Sequence, residues 1–176
     1  MNRSIVTLIA TALLALGVAL PASDALSQQK QQVSFKTPAA NTKYTQQTTI
    51  DVGDLPGHQV RVFELHRTYP SDAPVINELK MTEMWTRGVT DLIDGTGSSV
   101  NYSVYMLENG DKVFSRTALV AQSLGSGNFT TTSAGTITGG TGKLAGIQGT
   151  VRTTGTAQPT AGVNENQTDI EYWLAK

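Results

Sequence analysis

Residues 135–151, GTITGGTGKLAGIQGTV, carry six of the seventeen glycines of this 176-residue chain and lie between two runs that alternate like β-strands. On one side NFTTTSAGTIT (128–138) is rich in threonine and puts Phe129 and Ile137 on one face. On the other, IQGTVRTTGT (147–156) alternates again. Between them Gly139, Gly140, Gly142 and Gly146 tolerate φ > 0, so the backbone turns tightly and passes close to a neighbouring segment. Lys143-Leu144-Ala145 reads as one helical turn that drops Leu144 into a core. The stretch is predicted to be a strand, a glycine-hinged corner and a strand.

A glycine-rich loop ending in Gly-Lys also invites comparison with a phosphate cradle. A P-loop needs Ser or Thr after the Lys and then a helix. Here Leu144 follows Lys143, and Gly146 and Gly149 interrupt any helix. No βαβ unit surrounds the stretch, so the dinucleotide fingerprint fails as well. The corner is read as structural.

The N-terminus has a different character. Arg3 precedes an almost unbroken apolar run from Ile5 to Leu20, followed by Pro21 and the small residues Ala22, Ser23, Ala25 and Ser27. That is the pattern of a secretory signal peptide. Cleavage is expected after Ser27, with Ala25 as the alternative, leaving residues 28–176 as a single domain. The apolar run is short for a membrane span, so no stable span is expected once it is removed. A secreted or periplasmic protein follows.

Such a protein without a single cysteine is held by packing and hydrogen bonds alone. Thiolate metal sites and a Cys nucleophile are excluded. The formal net charge of −1 gives no electrostatic reason to expect nucleic acid as a partner.

Alternation continues along the rest of the chain. Short strands are predicted at 33–35 and 48–52, with a long loop over 37–47. The first long strand, 58–68, places Val60, Val62, Glu64 and His66 on one face and Arg61, Phe63, Leu65 and Arg67 on the other. A loop at 69–77 precedes a strand over 79–91, with Leu79, Met81, Glu83, Trp85 and Arg87 on one face and Thr82, Met84 and Thr86 on the other. Asp94-Gly95 and Asn109-Gly110 mark turns around a strand at 99–107. Strands over 112–122, 128–138, 147–156 and 168–175 complete the pattern, with Phe114, Ala118 and Val120 sharing a face. Short connections favour antiparallel neighbours, and no helix longer than a turn is expected. An all-β, antiparallel β-barrel of about eight strands leaves room for filling side chains or one small ligand.

The run TITGGTGKLAGIQGTV resembles the signature of the allene oxide cyclase and dirigent group of β-barrels. In that group a strand ends in Gly-Gly-Thr-Gly, and a short apolar turn, a glycine and the next strand follow. The closing IEYWL, Ile170 to Leu174, and the run Tyr102-Ser103-Val104-Tyr105 are similar to other strands of the group. The resemblance implies an eight-stranded, allene oxide cyclase-like barrel with an apolar cavity, often trimeric, so a homo-oligomer (dimer or trimer) is expected. It also implies a small hydrophobic ligand: the plant cyclases close an unstable fatty-acid epoxide, and dirigent members steer phenoxy-radical coupling. The matched residues are architectural and carry no catalytic role across, and the missing cysteine departs from the cyclase pattern.

Candidate chemistry rests on what such a cavity needs. Glu171, among Ile170, Tyr172 and Trp173, is either a buried carboxylate with raised pKa that serves as acid or base, or a surface carboxylate paired with a basic residue. Glu83, two residues before Trp85, poses the same choice, and Tyr102 is the candidate for stabilising charge on a substrate. Trp85, Tyr105, Phe114 and Trp173 are candidates to line an apolar pocket, and are equally what a barrel core needs. Arg116, like Arg87, suits a carboxylate tail or a solvated surface. His58 and His66 lack a third ligand at metal spacing, so neither a metal nor a cofactor is expected. Three functions stay open: a barrel that binds or steers a small apolar molecule, a cyclase or isomerase using Glu171 or Glu83 with a tyrosine, and a structural envelope protein with a filled barrel.

Overall fold

The computed structural model describes residues 29–175; the expected signal peptide, 1–27, lies outside the described residues. The elements are β1 (Gln31–Thr37), β2 (Thr42–Asp51), β3 (His58–Thr68), β4 (Val75–Ile76), β5 (Leu79–Ile93), β6 (Thr96–Leu107), β7 (Lys112–Gly125), β8 (Asn128–Gly140), β9 (Ile147–Gln158) and β10 (Val163–Leu174). Three single-turn 3₁₀ helices, Ala39–Asn41, Gly142–Leu144 and Pro159–Ala161, are the only helical pieces among the described residues. The protein is therefore all-β, as the alternation predicts. No described helix is long and apolar enough to cross a membrane.

Every ladder is antiparallel, in the order β1-β10-β9-β8-β7-β6-β5-β3-β2, with β4 alongside the start of β5. From β5 to β10 the order simply follows the chain, because each connection is short. β5 and β6 join through Asp94 and Gly95, both at positive φ (49° and 81°), the signature of a primed hairpin turn whose twist matches that of the strands.

The sheet has ten strands rather than about eight, and the difference lies near the N-terminus. The expected loop over 37–47 is mostly strand: β2 starts at Thr42 and pairs with β3 throughout its length. The expected loop at 69–77 contains the two-residue β4. The sheet rolls until its ends approach, but β1 and β2 do not pair with each other in the ladder. Asn164 on β10 instead bridges the seam, donating to the Tyr44 hydroxyl on β2 at 3.2 Å and accepting from Arg67 on β3 at 3.0 Å.

Apolar packing fills one end of the roll. Ile76, Met81, Leu107, Val113, Leu144, Ile147, Ile170 and Tyr172 lie there, each almost fully buried. The glycine corner caps this end, and Leu144 is wholly buried as expected. The phosphate-cradle alternative finds its cradle occupied, since the Asp111 carboxylate of the β6–β7 turn accepts from the Lys143 N–H at 3.0 Å. Gly142, at φ 54°, is required twice over: its φ is left-handed, and a Cβ would overlap that carboxylate.

Candidate functional site

Towards its other end the roll is not completely filled. Between the inner faces lies a cavity of about 90 Å³, lined by residues from every strand except β1 and β4. Its floor is the apolar core, since Met84, Tyr105 and Val151 belong to both. Towards the β5–β6 and β7–β8 turns it shares Arg61, Thr90, Leu92 and Phe129 with a wider cleft of about 780 Å³, the mouth.

Which side chains enter the cavity follows from strand parity and one bulge. On β3 the expected set Arg61, Phe63, Leu65 and Arg67 does share a face, and that face is the inner one. On β6 the inner set is Ser99, Asn101, Ser103, Tyr105 and Leu107. On β5 the register slips between Met81 and Glu83. One extra residue there switches parity, so Met81 points inward and then Met84, Thr86 and Thr90 do. The single face predicted for Leu79, Met81, Glu83, Trp85 and Arg87 is thus split: Glu83, Trp85 and Arg87 end up outside.

The lining is unusual in being hydroxyl- and amide-rich. Thr86 pairs with Ser103 at 2.9 Å, Ser99 donates to Asn101 at 2.7 Å, and Thr153 pairs with Thr168 at 3.1 Å. Two of these pairs join neighbouring strands and one lies along β6, and together they satisfy polar groups of the wall.

Among the eight candidates named from sequence, the cavity receives Tyr105 alone. It is 2% exposed and pairs with Ser115 at 3.2 Å, and burial pushes its hydroxyl up to about 12. Glu171 is not a buried carboxylate with raised pKa. It lies on the outer face, 2.7 Å from Lys30, whose hydrogen bond holds its carboxyl below the ordinary value. Glu83 is also outside, accepting from Trp85 Nε1 at 3.1 Å and lying 2.8 Å from His66 Nε2. Trp85 stacks on His66 with ring centroids 4.0 Å apart. Tyr102 is 56% exposed, and Arg116 lies beside it, its Nε donating to the hydroxyl at 3.4 Å. Phe114 is half-buried on the outer face of β7, and Trp173 on that of β10 donates to Gln148 at 3.2 Å. These seven form no common site.

Arg67 is the residue that the search for chemistry overlooked. It is 6% exposed, with Nη1 donating to Thr86 at 3.1 Å and Nη2 to Asn164 at 3.0 Å. Its Nε–H has no acceptor among the described residues. Turning the Asn166 amide over adds one further acceptor, 3.0 Å from Nη2. Burial pulls the guanidinium below its ordinary value, although arginine stays charged at such sites. The signal was present in the sequence: an arginine at the third alternate position of the Phe63–Leu65 face.

At the mouth, His58 spans two carboxylates, with Nδ1 2.6 Å from Asp54 and Nε2 2.8 Å from Asp91. Hydrogen bonds to Asp91 and then Asp54 raise its pKa above 6.5. A raised histidine pKa stabilises the fold fully below the unfolded value, and the contribution is lost as pH rises through the folded value. The loop over 53–57 is therefore expected to be held more firmly at pH 6 than at pH 8. An NMR titration of His58 checks this, and a midpoint at or below 6.5 would refute it.

No family model matches this chain, and no curated protein matches it. Among solved structures it is similar to a pterocarpan synthase dirigent protein, at 14% identity over 96% of this chain and 98% of that chain, with a TM-score of 0.47.

Proposed function

We propose that the protein is exported and holds one small organic molecule inside its rolled sheet, contributing a shaped cavity. The observation that carries this reading is the incompletely filled interior: one end is a continuous cluster of buried apolar residues, while the other holds a cavity opening on a wider mouth. A sheet serving only as a structural wall gains stability from filling both ends, because an empty lined space forfeits contacts. Polar side chains inside a barrel are costly unless paired, and the paired hydroxyls here keep the space open at small cost. The lining mixes Phe63, Leu65 and Leu119 with Ser, Thr and Asn, which suits a molecule with an apolar body and polar ends. The carboxylate version of a cyclase finds no support in the geometry, since Glu83 and Glu171 are both outside.

The test is native mass spectrometry of the protein purified from its own host, with mild denaturation to release any bound molecule, beside a plugged variant. Thr117 lies in the cavity wall at 8% exposure, and Thr117→Phe puts a ring into the space. The expected result is one released small molecule per chain for the wild type and at least a tenfold loss of a cavity-sized fluorescent dye on plugging. No released molecule, together with dye binding that the plug leaves unchanged, would sink the reading in favour of a structural role.

A further inference from the structure

The cavity contains a buried cation with no anion. Arg67 sits where the hydroxyl-rich wall meets the apolar floor, and its two hydrogen-bond partners, Thr86 and Asn164, are both neutral. Among the described residues no carboxylate forms an ion pair with it. Among the described residues no Asp or Glu lines the cavity, while nearer the mouth Arg61 adds a second positive charge and Asp94 a negative one. Buried charges in proteins are ordinarily paired, because desolvation costs several kcal/mol per ion. A guanidinium has five N–H donors, and the two bonds made here, even with a third to Asn166, leave donors unused.

We propose that Arg67 anchors the carboxylate of a small organic acid whose body lies in the cavity between Arg67 and the mouth. This rests on the cavity reading above and names the chemistry of its occupant. One charge favours a monoanion: a single buried guanidinium balances one carboxylate, whereas a phosphate dianion would leave excess negative charge among neutral side chains. The flanking Phe63 and Leu65 give the acid an apolar body to match. Arg61, whose guanidinium lies over the Tyr44 and Phe63 rings at 5.7 and 5.5 Å, is a second cation on the inner face, and it lines the mouth together with the carboxylate residue Asp94. Tyr44 and Asn164, already bonded to each other at 3.2 Å, hold the Arg67 end of the seam in place.

The experiment uses benzoate and benzamide as a matched pair of probes, with inorganic phosphate as a third. Calorimetry gives the affinities, and ¹⁵N NMR follows the Arg67 Nε–H resonance. Benzoate is expected to bind at least tenfold more tightly than benzamide and to shift that resonance, and Arg67→Met is expected to abolish the preference. The wild-type comparison stands even if the variant does not fold. Equal binding of benzoate and benzamide would overturn the anion anchor while leaving the cavity reading intact. Phosphate displacing benzoate at equal or better affinity would overturn the choice of a carboxylate. If neither aromatic probe enters and Thr117→Phe leaves dye binding unchanged, both readings fall together.

Discussion

Arg67→Met is expected to make the ligand-free protein more stable, by about 1–4 kcal/mol in urea denaturation, the range for replacing a buried ion pair with apolar residues of similar volume, since a guanidinium without a counter-charge recovers less of its desolvation cost than such a pair. The wild-type guanidinium is buried and bonds to only two neutral acceptors. Thr86 keeps Ser103 at 2.9 Å, and Asn164 keeps the Asn166 amide at 2.8 Å in the Asn166 orientation that leaves Arg67 only two acceptors. The seam bond from Asn164 to Tyr44 does not involve Arg67 and also remains. A stability gain coupled to lost ligand preference is the mark of a residue kept for binding, because a bound anion reverses the order by stabilising only the wild type. If the variant is instead destabilised by more than about 1 kcal/mol, the hydrogen bonds across the seam outweigh the desolvation cost, and Arg67 is a clamp.

Leu144→Ala is expected to cost about 2–5 kcal/mol, the range for deleting a large aliphatic side chain from a packed core. Leu144 is fully buried although it belongs to a three-residue turn. Several chain segments meet around that turn. Thr141 N–H donates to Lys112 O at 2.9 Å, Lys143 N–H to Asp111, and Ala175 N–H to Gly146 O at 3.1 Å. With the β6–β7 turn, the β8–β9 corner and the C-terminal strand all tied there, the site has little freedom to collapse onto a void. Leu144→Met, which conserves volume, should cost less than about 1.5 kcal/mol. A loss below about 1 kcal/mol for the alanine variant would show that the corner is peripheral to the core.

Much of the fold was legible because strand alternation and turn chemistry are local. Asp94-Gly95 and Asn109-Gly110 sit at the turns they mark, and β3 runs over the residues its alternation indicates, 58–68. The polar stretch TKYTQQTTID was misjudged as mostly loop, since only its pairing with β3 and its place at the sheet's edge make it a strand. The site was less legible than the fold. Large aromatics and carboxylates were sought inside, whereas Trp85, Phe114, Trp173, Glu83 and Glu171 cover the outside. The inner face near the mouth carries serine, threonine and asparagine, so the rule that apolar residues mark the interior picks the wrong side of β6 and β7 there.

By itself the sequence determined the class, the hairpins, the corner that buries Leu144, and the pairing of alternate residues into faces such as Arg61, Phe63, Leu65 and Arg67. These depend on backbone sterics and on the two-residue period of a strand, which act over a few residues. Only the tertiary structure decided which face of each strand is inside. Parity along a strand is relative, one extra residue near Thr82 inverts it for the rest of β5, and the direction in which the sheet rolls sets it for all strands at once. The same rolling brings Arg67 of β3 to Asn164 of β10, ninety-seven positions away in the chain, and buries its charge with no carboxylate paired to it among the described residues.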